Sequence, residues 1–177
     1  MTNLINLITV ARIILAPTIL LFLILENYLI CILLFFLAGI SDYFDGYLAR
    51  KYRAESQLGE ILDPIADKIL IVFLLIGLSV VLDSYLIASL SSFIIAREIG
   101  VTALRDYSAR NNISDRTKVT YLAKTKTSVQ LFTIGSYLFA LTFSLNLLLV
   151  ISDIFLIITA LITLYTGYQY SISVFKE

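Results

Sequence analysis

The chain has 177 residues, of which 59% are hydrophobic and 15% charged, with 13 Lys and Arg balancing 13 Asp and Glu. Its mean hydropathy of +0.94 excludes a soluble globule of ordinary composition and makes lipid the expected solvent. Histidine is absent and Cys31 is the one cysteine, so imidazole catalysis, imidazole ligation, disulfide frameworks and thiolate metal sites are all excluded.

Residues 2–8 read as a short amphipathic or buried juxtamembrane segment, followed by a first helix near 9–25. Arg12 precedes an apolar run there, as in a secretory signal, but no small-residue cleavage site follows, so the helix is read as retained. Further helices are expected near 28–51, 59–82, 85–108, 118–143 and 147–172. Together they make about six spans of roughly 20 residues each. The fold class is therefore all-α and polytopic, with residues 1–177 forming a single transmembrane domain.

The connections at 52–58 and 109–116 are polar, and the second contains Asn111, Asn112, Ser114 and Asp115, which suit turns and helix caps. Every Lys and Arg falls near Arg12, between Arg50 and Lys68, between Arg97 and Lys126, or at Lys176. The alternate connections around 26–28, 83–85 and 144–146 have none, which predicts both termini in the cytoplasm.

The chemistry concentrates at the second and third helices. Asp42 and Asp45 are three residues apart, and Asp63 and Asp67 four apart, so each pair projects from one helix face. A short loop makes these helices antiparallel neighbours with facing acids. Four carboxylates at the edge of hydrocarbon need cationic compensation, and an all-oxygen donor set suits Mg2+, Mn2+ or Ca2+ better than Zn2+ or Cu2+. Gly46, Ala49 and Gly59 leave room for a base or phosphate to approach the backbone, and Arg50 offers a planar fork to phosphate oxygens.

Other readings of these residues stand beside that one. Asp42 or Asp67 can form structural ion pairs with Lys68 or Arg50, and Pro64 is as readily a first-turn proline as a kink. A divalent-cation transporter would also place acids within the membrane, although the outer halves of the spans offer only Asp153, with no visible partner. Tyr43, Phe44, Tyr47 and Tyr52 read as interfacial anchors.

The acids fit the pattern D-x-x-D-G-x-x-A-R, eight residues, G-x-x-x-D-x-x-x-D at Asp42, Asp45, Gly46, Ala49, Arg50, Gly59, Asp63 and Asp67. In this the chain resembles the CDP-alcohol phosphatidyltransferase family. The resemblance implies six membrane helices, a homodimer, and transfer of a phosphatidyl group from a CDP-linked donor to an alcohol with release of CMP. It implies metal, Mg2+ or Mn2+, on Asp42, Asp45, Asp63 and Asp67. It makes Asp67 the general base, and assigns CDP-donor binding to Thr9, Gly46, Ala49, Arg50 and Gly59.

Softer motifs, residues 6–12, Ile95 to Glu98 with Leu104 and Arg105, and Ala123 to Gln130, resemble the bacterial branch that uses glycerol 3-phosphate. Its substrates would be CDP-diacylglycerol and glycerol 3-phosphate, with no nucleic-acid partner, at a bacterial plasma membrane with the site facing the cytoplasm. Arg97, Arg105, Lys124 and Lys126 would then bind the acceptor phosphate. Juxtamembrane cations also serve topology and anionic lipid without any substrate. Arg12 either assists the donor phosphate or snorkels, and serine, inositol phosphate or a second lipid are alternative acceptors. No Ser, Cys or His nucleophile accompanies the acids, so direct attack is expected.

Overall fold

Aliphatic runs with few breakers drive the backbone into helix throughout, because helices satisfy their own N–H and C=O groups in lipid. A computed structural model describes residues 2–52, 57–111 and 121–175. Among these residues there are six helices: α1 (Thr2–Ile24), α2 (Tyr28–Tyr52), α3 (Gln57–Val81), α4 (Tyr85–Arg110), α5 (Tyr121–Thr142) and α6 (Asn146–Phe175). No strand occurs among the described residues.

Two differences from the sequence reading have local causes. Residues 2–8 are the first turns of α1 and not a separate segment, since no Gly, Pro or cap interrupts the chain before Thr9. Pro64 lies inside α3, which begins at Gln57, so it removes an interior helix hydrogen bond and is not a first-turn residue. Among the described residues, four stretches are long and apolar enough to cross a membrane, at Leu7–Ile24, Leu62–Val81, Tyr85–Arg110 and Asn146–Phe175. Within the described residues the apolar part of α2 is Tyr28–Asp42, and α5 opens on polar residues.

One end of the bundle is closed by three tight turns of the same kind. Glu26, Asp83 and Ser144 follow α1, α3 and α5 with φ of 57°, 44° and 55°. The next residue in each case donates back five residues, as from Asn27 to the Phe22 carbonyl at 2.9 Å. These left-handed residues satisfy terminal carbonyls and reverse the chain. Asn111 caps α4 at the opposite end, its Nδ2 donating to the Tyr107 carbonyl at 2.8 Å.

Lipid gives helices no hydrophobic reason to associate, so close packing and interhelical hydrogen bonds carry the assembly. α1 packs on α2 and α3, α4 on α3 and α6, and α5 on α2, α3 and α6. Gly77 lets α1 and α3 approach: a β-carbon there would lie 2.6 Å from Leu20 Cδ1 and 2.7 Å from Leu23 Cδ2. Leu23, Leu74, Leu78, Ile87 and Leu138 fill the interior with Cys31, which is packed and not lipid-facing. Large aliphatic and aromatic side chains such as Leu21, Leu33, Val80 and Leu161 point outward.

α5 and α6 are joined by a polar seam. Thr133 and Thr159 hydroxyls meet at 2.9 Å, Ser136 and Ser152 at 2.8 Å, and Tyr137 donates to Asp153 at 2.5 Å. Asp153 therefore has a partner that sequence alone did not reveal.

Candidate active site

Every polar end of the bundle that carries motif residues lies opposite the three tight turns. The C-terminal part of α2 brings Asp42, the N-terminal part of α3 brings Asp63 and Asp67, and α1 passes beside both with Thr9 and Arg12. Arg12 is 1% exposed, and its Nη1 donates to Asp42 Oδ1 at 2.5 Å and to Asp67 Oδ1 at 2.8 Å. Thr9, fully buried, donates to Asp63 Oδ1 at 2.8 Å. Three acids from two helices are thus tied to one turn of α1, where Thr9 and Arg12 are three residues apart on one face.

The ion pairs expected of Asp42 or Asp67 with Lys68 are not formed. Lys68 turns away and donates to Thr102 at 2.6 Å, because the buried guanidinium of α1 already lies between the two acids. Arg12 likewise does not snorkel. Gly59 is buried near the start of α3. The side chains of Asp45, Ala49, Arg50 and Lys124, and the surroundings of Gly46, lie outside the described residues.

The donor set is carboxylate oxygen alone, which fits a hard divalent cation such as Mg2+ or Mn2+. Asp42 and Asp67 remain 51% and 43% exposed beside their cavity and so are accessible to one. Among the described residues no group of three Asp, Glu, Cys or His is already gathered as a metal cluster.

Two cavities meet at Asp67. One of about 550 Å3 is lined by Phe35, Phe36, Gly39, Leu70 and Leu131, with Arg12, Asp42 and Asp67 also on its wall. The other, of about 280 Å3, is lined by Asp67, Lys68, Arg97, Glu98, Arg105 and Lys126, among others. Ile71 and Thr127 belong to both walls. The first suits acyl chain or glycerol backbone; the second, with four cations against two acids, suits a dianion.

The cations are held in place by α4 and α6. Glu98 accepts from Arg97 Nη1 at 3.1 Å and also from Lys126 Nζ. Arg97 Nη2 donates to Thr166 at 2.8 Å, and Arg105 Nη2 to the Tyr170 hydroxyl at 2.9 Å. Gly167 makes this arrangement possible, since a β-carbon there would lie 2.8 Å from Arg97 Cγ and 3.1 Å from its Nε. Burial of Arg97 and Lys126 is compensated by Glu98, which by its place in sequence could equally have oriented or merely neutralised an arginine.

Sequence reasoning therefore located Asp42, Asp63, Asp67, Arg97, Arg105 and Lys126, and the fold brings them to one end of the bundle. It left Arg12 between the donor phosphate and snorkelling, gave Lys68 only as an ion-pair partner of the acids and Gln130 only as the end of a motif, and missed Thr166, Gly167 and Tyr170. The available signal for α6 was the run Thr159, Thr163, Thr166 and Tyr170, a polar stripe at helical spacing in an apolar helix.

In this helical bundle the acids lie between an apolar and a cationic cavity, an arrangement with room for a ligand that is part lipid and part anion. Residues 2–169 match the CDP-alcohol phosphatidyltransferase family, and the chain belongs to it. A relative from Rickettsia bellii, named CDP-diacylglycerol–glycerol-3-phosphate 3-phosphatidyltransferase, is 40% identical over 95% of this chain and 93% of its own. Proteins of the same name from Rickettsia typhi, 39% identical over 96% of each chain, and Haemophilus influenzae, 33% identical over 92% and 88%, are also similar.

Proposed function

We propose that this chain transfers the phosphatidyl group of CDP-diacylglycerol to a hydroxyl of glycerol 3-phosphate, giving phosphatidylglycerol phosphate and CMP. The observation that carries this reading is the position of Asp67 on the walls of both cavities, one apolar and one cationic. A lipid donor and a phosphorylated acceptor can enter from different sides and meet at one carboxylate. The names of the relatives support the same substrates.

In the proposed reaction Asp67 takes the proton of the acceptor hydroxyl, whose oxygen bonds to the phosphorus bearing diacylglycerol. The bond from that phosphorus to the bridging oxygen breaks, and CMP leaves with the electron pair. Mg2+ or Mn2+ held by Asp42, Asp45, Asp63 and Asp67 would neutralise pyrophosphate charge. Arg12 keeps Asp42 and Asp67 at fixed separation, and Thr9 orients Asp63, so Thr9 acts on the donor through that acid. Gly46, Ala49 and Gly59 admit the nucleotide to the backbone, with Arg50 on phosphate oxygens. Arg97, Arg105, Lys124 and Lys126 receive the acceptor phosphate, joined by Lys68. Positioning and charge account for the rate in such phosphoryl chemistry, with no covalent intermediate.

The proposal extends to one domain over residues 1–177 acting as a homodimer in a bacterial plasma membrane, with both termini and the site cytoplasmic, as the bias of Lys and Arg suggests. The test is CMP release by purified protein with CDP-diacylglycerol and Mg2+ or Mn2+, comparing glycerol 3-phosphate, serine, inositol phosphate and no acceptor. Release that requires both metal and glycerol 3-phosphate is expected. Release with serine alone would change the acceptor, and metal uptake into vesicles without CMP release would replace the enzyme by a transporter.

A further inference from the structure

Gln130 lies on α5 one turn beyond Lys126, and its side chain forms part of the wall of the cationic cavity with Asp67 and Thr127. The residue is 2% exposed, and neither Oε1 nor Nε2 has a hydrogen-bond partner among the described residues. A buried amide left unanswered at both ends makes the ligand-free protein less stable than an apolar side chain of the same shape would. The neighbouring cations differ in this respect: Lys126 and Arg97 engage Glu98, Lys68 engages Thr102, and Arg105 engages Tyr170.

The chemistry of the amide narrows what can answer it. A phosphate oxygen only accepts and is served by the four cations, whereas the attacking hydroxyl gives its proton to a carboxylate. An amide both donates and accepts, and so does a hydroxyl that takes no part in the reaction. Glycerol 3-phosphate carries one phosphate, one primary hydroxyl and one secondary hydroxyl. With the phosphate among the cations and the primary hydroxyl at Asp67, the secondary hydroxyl is the group still to be matched.

We propose that Gln130 reads the non-reacting hydroxyl of the phosphorylated polyol acceptor, and so rejects acceptors that have the phosphate and the attacking hydroxyl but lack the second one. This rests on the acceptor site proposed above. A site built to bond a hydroxyl rejects the analogue without it strongly, because the buried amide then stays unpaired.

The test compares kcat/KM for glycerol 3-phosphate and for 3-hydroxypropyl phosphate, which lacks the secondary hydroxyl, in the full-length protein and in Gln130→Leu and Gln130→Met. The wild-type protein is expected to favour glycerol 3-phosphate by about 100-fold or more, and both variants to lose most of that preference. Their Tm without substrate should be unchanged or higher, since an unanswered buried amide has been removed. An equal loss on both acceptors, a wild-type protein that does not discriminate, or a lowered Tm in both variants would overturn the role of Gln130 alone. No CMP release by the wild-type protein with either acceptor would overturn the acceptor reading beneath it.

Discussion

Replacing Arg12 by methionine keeps most of the buried volume and removes a group that bonds both Asp42 and Asp67. Two hydrogen bonds lost with it, of 2.5 and 2.8 Å, are to charged partners. Such bonds contribute about 1.5–3 kcal/mol each. Asp42 and Asp67 are 51% and 43% exposed, so solvent screening argues for the low end. Two bonds then give about 3 kcal/mol, before any repulsion between the freed acids. If that organisation is fully needed in the transition state, kcat/KM falls about 150-fold.

Initial rates of CMP release in detergent, with Tm measured on the same preparations, check this. Arg12→Lys should recover part of the loss, because an ammonium keeps the charge without the fixed fork. In Tm, the pair Arg12→Met with Asp42→Asn should be little below Arg12→Met alone, since both changes remove the contact between the two residues. A folded Arg12→Met protein within threefold of wild type would refute the reasoning and reduce Arg12 to a spectator.

Asp67→Asn should keep the fold and bind CDP-diacylglycerol within threefold of wild type while CMP release drops about 1000-fold, the range for loss of a general base; substantial turnover by the folded variant would remove Asp67 from that role. Gly167→Ala should push Arg97 away from Thr166 at an overpacking cost of about 1–3 kcal/mol, raising KM for glycerol 3-phosphate about tenfold with a smaller change in kcat. An unchanged KM would show that Arg97 does not need its present position. Tyr137→Phe, at the end of the bundle away from the acids, should lower stability by about 0.6–1.7 kcal/mol, the range for interhelical hydrogen bonds in membranes. Thermal unfolding reads that directly, and lost activity at unchanged Tm would contradict it.

The legible part of this molecule is what is local in sequence. Asp42, Asp63 and Asp67 were readable because helical spacing alone puts motif residues on one face, and the helices were readable from apolar runs between charge clusters. Helix bounds differ from expectation by a few residues, except at the start of α1, where residues 2–8 continue the helix instead of forming a separate juxtamembrane segment.

What was not legible depends on contacts between distant segments. Arg12 is separated by 30 residues from Asp42 and 55 from Asp67, and nothing in its own neighbourhood distinguishes an arginine bound for the acids from one that snorkels. Gly167 reads as one more small residue in α6 until the stem of Arg97 is seen lying over it. Tyr137 and Asp153 are each unremarkable in their own helices, and only the packing of α5 on α6 makes them partners.

The most direct test of the central claim is to supply the purified chain with CDP-diacylglycerol and glycerol 3-phosphate carrying oxygen-18 in its primary hydroxyl, and to analyse lipid and nucleotide products by mass spectrometry. The account predicts phosphatidylglycerol phosphate that retains the label in its phosphodiester, with unlabelled CMP released in equal amount. Phosphatidic acid with no labelled lipid, or no consumption of CDP-diacylglycerol at all, would contradict it.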